Sequence, residues 1–157
     1  MNDRYFLHLA IEKAKESSQV GGFPAGAVVV KNGEVISSGV SVGAKLNDPT
    51  SHAETVAIRE ACAKLKTIDL SGATLYASLQ PCLMCFSVAN WAGISRIVFG
   101  CKKTIEMAKK NYYEGENDIA KINELNNRQI ELVYLPDYEA EMIKVVNDWE
   151  KKLAELP

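Results

Sequence analysis

Histidine is scarce in this chain, with two, His8 and His52, in 157 residues. Long apolar runs are missing as well. The longest, 25–30 and 97–100, fall far short of the roughly 20 residues a spanning helix needs. The opening stretch "MNDRYFLHLAIEKAKESS" is charged and helical in pattern, unlike a signal peptide. These absences predict a soluble, cytoplasmic protein with no membrane partner. An excess of basic charge is missing too. Eighteen Lys and Arg against 20 Asp and Glu give a net charge of −2, so the overall field favours a small-molecule substrate and disfavours nucleic acid. There is no internal repeat, low-complexity tract or Pro/Ser-rich linker. The 157 residues are therefore read as one domain, able to bury about two-thirds of its unfolded surface.

What is present is an alternation of elements. A helix is expected over 3–17, with Phe6, Leu7, Ala10, Ile11 and Ala14 on one stripe, broken by "GGFPAG". A β-hairpin follows, turned by Asn32-Gly33, the pair suited to the positive φ values of a type I′ turn. The stretch 41–50 reads as a loop. A helix then starts between Pro49 and His52 and runs through "AETVAIREACAKL". The strand "ATLYASL" hands over to a helix opened by Pro81, and "SRIVFGC" is the next strand. Residues 102–127 are polar with weak helical periodicity, 128–135 read as a fifth strand, and 137–153 as a closing helix. Such an order implies an α/β protein, a sheet with helices on both faces and its last strands parallel.

The pair in "SLQPCLMC" is a redox dithiol, half of a metal site, or an accident of a buried helix. Without an export signal, the four cysteines are more consistent with reduced thiols than with disulfides. Cys82 and Cys85, placed in the first helical turn, share a face, and the positive end of the helix dipole favours thiolate there. A redox pair explains no other residue, whereas a metal site asks for further ligands. His8 lies beside the apolar stripe of its helix and reads as a surface residue. His52 opens a helix in "SHAE", and if the sheet brings the two helix starts together, His52, Cys82 and Cys85 leave a fourth position open, as catalytic zinc requires.

His52-Ala53-Glu54 and Pro81-Cys82-Leu83-Met84-Cys85 together resemble the H-x-E…P-C-x-x-C signature of the zinc-dependent cytidine and nucleobase deaminase superfamily. The likeness covers about residues 1–101, with a C-terminal strand and helix over 128–155 completing the domain. It implies a three-layer α/β/α cytidine-deaminase-like fold around a mixed five-stranded sheet. It also implies zinc held by His52, Cys82 and Cys85, a water activated by that ion, and Glu54 as the catalytic proton carrier. Backbone groups near Ala53 and 79–80 would orient the base. The alternative for Glu54 is a carboxylate that stabilises its helix dipole, and the two roles are compatible.

"NDPTSHAE" and "AIREAC" resemble the branch holding guanine deaminases, fungal-type cytosine deaminases and tRNA adenosine deaminases. Those relatives commonly carry an asparagine eleven residues before the zinc histidine. Here the position is Ser41, whose hydroxyl lacks the amide's paired donor and acceptor. Phe23 would stack on a planar base. Trp91 would stack near a purine or serve as a core or dimer-interface aromatic, and Glu114 would accept from a guanine edge or lie solvated. The apolar helix 82–91 suggests a homodimer. The expected activity is deamination of a free nucleobase or nucleoside, a guanine-like purine ahead of a cytosine-type base. The acidic closing helix weighs against the alternative, a tRNA adenosine deaminase. A non-catalytic zinc module is the contrasting class.

Overall fold

The computed structural model describes residues 2–157. Along the chain run α1 (Asp3–Gln19), β1 (Gly26–Lys31), β2 (Glu34–Val40), α2 (Gly43–Leu46), α3 (Ala53–Leu65), β3 (Thr74–Ala77) and α4 (Leu83–Trp91). Then come β4 (Arg96–Phe99), α5 (Ile105–Lys109), α6 (Ile119–Leu125), β5 (Glu131–Tyr134), a 3₁₀ turn at Pro136–Tyr138 and α7 (Glu139–Ala154). The five strands lie in the order β2-β1-β3-β4-β5. β1 pairs antiparallel with both β2 and β3, while β3, β4 and β5 are mutually parallel, giving the mixed sheet expected. The hairpin turns where Asn32 and Gly33 take φ of 53° and 77°, a left-handed pair that asparagine tolerates and glycine adopts freely.

Alternation along the strands sorts side chains to two faces. Val28, Val30, Tyr76 and Val98 pack against Phe6, Leu7 and Ala10 of α1. Ala27, Val29, Leu75, Ala77, Ile97 and Phe99 pack against Ala53, Ala57 and Ala61 of α3 and against Phe86 and Ala89 of α4. α7 adds Met142 and Val146 beside Ile11 and Ala14 of α1. The result is three layers, α/β/α. Withdrawing each large apolar side chain from water contributes roughly 1.5–3 kcal/mol, so these two interfaces dominate what holds the helices to the sheet. The small residues of α3 let it come close. A Cβ on Gly39 of β2 would overlap the Ala53 carbonyl oxygen, so the start of α3 lies directly on the strand.

Strands β3 and β5 are shorter than expected, 74–77 and 131–134, and three other segments differ from the sequence expectation. The loop 41–50 contains the single turn α2, closed by Asn47 in the left-handed region. α4 begins at Leu83, because Cys82 is extended (φ −70°, ψ 170°) and caps the helix, leaving Pro81 outside it. The polar connector 102–127 holds two short helices, α5 and α6. Each is capped by a side chain, Thr104 accepting from Met107 N–H and Asp118 from Ala120 N–H.

Candidate active site

Two helix starts meet at the site. Asp48 fixes the approach to α3, its carboxylate accepting from the Thr50 N–H and hydroxyl (2.9 and 2.7 Å) and from the Ser51 hydroxyl (2.8 Å). His52 is the cap residue of α3, yet its ring makes no capping bond and faces α4 instead. Its Nδ1 lies 3.5 Å from Cys82 Sγ. The same sulfur accepts the Cys85 N–H at 3.5 Å, and Thr55 Oγ1 lies 3.3 Å from Cys85 Sγ.

One nitrogen and two sulfurs therefore converge, all within 4.8 Å of one another. Tetrahedral zinc, with sulfur at about 2.3 Å and nitrogen at about 2.0–2.1 Å, separates such ligands by roughly 3.5–3.8 Å. The observed 3.5 Å between Nδ1 and Sγ matches that spacing, and the soft thiol pair with an imidazole is the donor set zinc selects. The residues fit zinc.

Electrostatics agree with a site built for proton handling. Burial first, then the neighbouring Cys82 sulfur, push the Glu54 carboxyl up to about 7. Hydrogen bonding from Cys85, helped by His52 and opposed by burial, pulls the Cys82 thiol far below its ordinary range. Its hydrogen bond to Cys82 raises His52, partly offset by burial.

Beside this cluster opens a cavity of about 380 Å³. His52, Glu54 and Cys82 line it, together with Phe23, Ser41 and Ala53, so most of the residues expected from sequence meet here. Cys85 is fully buried behind them. Besides Cys85, two further expected residues do not line it. Trp91, at the last position of α4, is 85% exposed and lies outside the cavity lining. Glu114 borders a smaller cavity that shares His52 and Cys82, and its two oxygens accept the N–H groups of Leu83 and Met84 (3.2 and 3.0 Å). Burial raises Glu114, but hydrogen bonding from the backbone of Met84, Glu114 itself and Leu83, and from Cys82, outweighs it and holds the carboxyl below its usual value.

The sequence reading missed Trp149, Lys110 and Asn111 as lining residues. Trp149 carried a signal, since Met142, Val146 and Trp149 continue one helical stripe on α7. It stands edge-on to Phe23, centroids 5.2 Å apart at 79°, while Tyr112 completes an aromatic wall 5.0 Å from Phe23 and 5.9 Å from Trp149.

Among known families, residues 1–101 match the cytidine and deoxycytidylate deaminase zinc-binding region. A tRNA-specific adenosine deaminase of Aquifex aeolicus is 42% identical over 99 residues, 63% of this chain and 66% of its own, so the chain spans just under two thirds of that relative. A guanine deaminase of Bacillus subtilis is 40% identical over 105 residues, 66% of this chain and 67% of its own. A structure solved in a study of A-to-I editing by tRNA:A34 deaminases superposes with a TM-score of 0.78 at 29% identity, over 90% of this chain and 99% of that one. A net charge of −2 therefore does not set nucleic acid aside, because only the surface around a site has to meet an RNA backbone. The family match takes in both helix starts that carry the convergent donors, and the chain belongs to the cytidine and deoxycytidylate deaminase zinc-binding family.

Proposed function

We propose that this protein is a zinc-dependent hydrolytic deaminase of an aminated nucleobase ring. The observation that carries the reading is Glu54, a buried carboxylate lining the cavity beside His52 and Cys82, two of the three residues that would hold zinc. A carboxylate so placed can take a proton from a water at the ion and return it to the ring. His52, Cys82 and Cys85 would hold the ion, which when bound supplies the Lewis acidity that makes a water nucleophilic near neutral pH. Glu54 would take one proton from that water and give it to the ring nitrogen, then take the second from the hydroxyl now on the ring carbon and give it to the departing amine. The balance is amidine plus water to ring carbonyl plus ammonia. Phe23, Tyr112 and Trp149 offer ring faces and edges to a planar base, and the Ser41 hydroxyl stands at the wall as a donor or acceptor to its edge.

Two substrates are supported by different observations. The relatives favour adenosine within a transfer RNA, the activity for which the Aquifex protein is named, and on sequence this has the larger support. The aromatic wall of Phe23, Tyr112 and Trp149 supports a free purine such as guanine, because a base without a tRNA around it depends on such ring faces for its binding. The zinc-loaded protein is assayed for ammonia release from guanine, adenine, cytosine and their nucleosides, and for inosine in a tRNA transcript, with Glu54→Ala as the blank. The expected result is turnover of one substrate, lost on the order of 10²–10⁴-fold in Glu54→Ala with zinc retained. Undiminished turnover in that variant sinks the mechanism.

A further inference from the structure

The first turn of α4 has three backbone N–H donors with no partner inside the helix, those of Leu83, Met84 and Cys85. The first bond within the helix runs from Phe86 N–H to the Cys82 carbonyl at 2.9 Å. Cys85 donates to the Cys82 sulfur. The remaining two donate to one carboxylate from a distant part of the chain, Leu83 to Glu114 Oε1 at 3.2 Å and Met84 to Glu114 Oε2 at 3.0 Å. Each of these three donors is thus used, one by the sulfur of Cys82 and two by Glu114. The residue before Glu114 grips the same segment from its other end. The Tyr113 hydroxyl donates to the Gln80 carbonyl at 2.7 Å, and its side chain packs on Cys82 and Cys85.

We propose that Glu114 is a positioning residue for the zinc site, its carboxylate holding the Leu83 and Met84 N–H groups so that the start of α4 keeps both sulfurs directed at His52. With the carboxylate removed, those two donors turn to water, the first turn frays, and Cys82 loses the neighbour that fixes it as the cap. A carboxylate close to a dication's ligands also adds negative charge to the ion's surroundings, as outer partners of metal sites commonly do. The role is distinct from reading a substrate edge, for which each oxygen keeps a further lone pair, so zinc release and KM together separate the two. It rests on the deaminase reading only in taking zinc as the ion held.

The test uses the full chain loaded with zinc and follows transfer of the ion to a chromophoric pyridylazo chelator at 25 °C. Glu114→Ala is expected to release zinc on the order of 10–100 times faster than the parent. Glu114→Gln falls between them, because its amide oxygen still accepts one N–H. Glu116→Ala, an exposed carboxylate on the same connector, leaves the rate unchanged. KM for the substrate identified above stays within about twofold in Glu114→Gln. Parental release rates in both Glu114 variants overturn the proposal, and so does a raised KM with unchanged release, which would make Glu114 a substrate contact. If far-UV circular dichroism shows Glu114→Ala unfolded, Glu114→Gln decides alone. A parent chain that binds no zinc overturns the deaminase reading itself.

Discussion

Trp149 is half-buried in α7, and its ring stands edge-on to Phe23 and Tyr112 within one aromatic cluster. Aromatic pairs of this geometry are worth about 0.5–1.5 kcal/mol beyond their area, and a bound base would exploit the same faces. Trp149→Ala is expected to raise KM for a free purine on the order of tenfold while kcat changes only a few-fold. A base carried on a transfer RNA is held over a far larger surface, so its KM moves less. Steady-state kinetics on the two substrates separate these outcomes, and an unchanged KM for the free base removes Trp149 from recognition. Glu54 stands at the opposite extreme of legibility. A carboxylate two residues after a helix-opening histidine was visible in the sequence as a candidate, whereas nothing local to Trp149 says which cavity its stripe would meet.

At the scale of elements, α1 is pinned to the sheet through its first residue. The Asp3 carboxylate accepts from Arg96 Nη1 and Nη2 at 2.7 and 2.6 Å and from the Tyr76 hydroxyl at 2.7 Å, tying the helix to β4 and β3. Hydrogen bonding from Arg96, opposed by burial and aided by Tyr76, holds Asp3 below its ordinary 3.8. The folded state thus binds this proton less tightly than the unfolded chain. The stability it contributes is present above pH 3.8 and is lost as pH falls through the lower, folded value. Asp3→Asn is expected to cost about 1–3 kcal/mol at pH 7, the range for hydrogen bonds to charged groups, with the difference shrinking below pH 3.8. Urea denaturation of both proteins at pH 7 and pH 3 measures it, and an equal gap at the two pH values contradicts the assignment. Periodicity, the Asn32-Gly33 turn and the capping residues before α3 made α1, the hairpin, α3 and the parallel last strands legible, but not the order of the strands in the sheet. The starts of α4 and α2 were not, because a cap is decided by one residue's φ and ψ. A thiol acting as the cap acceptor displaced the proline that usually marks a first turn.

For the whole molecule, the division falls near residue 101. Before it, the short-range pattern of helix starts announced the convergent donors. After it, contacts such as Phe23 with Trp149 or Leu83 with Glu114 join residues far apart in sequence, and pattern within a segment carries no record of its distant partner. The donors themselves have a thermodynamic consequence. All four cysteines are free, and no disulfide joins α3 to α4. An ion shared by His52, Cys82 and Cys85 is therefore a removable cross-link between residues thirty positions apart, present only when the chain is folded. By mass action each tenfold rise in free zinc above the dissociation constant adds about 1.4 kcal/mol to the folded state. Thermal scans across a series of zinc buffers should show Tm climbing with the logarithm of free zinc, and a flat series would deny the cross-link. The stability of this fold would then follow the metal supply of its surroundings.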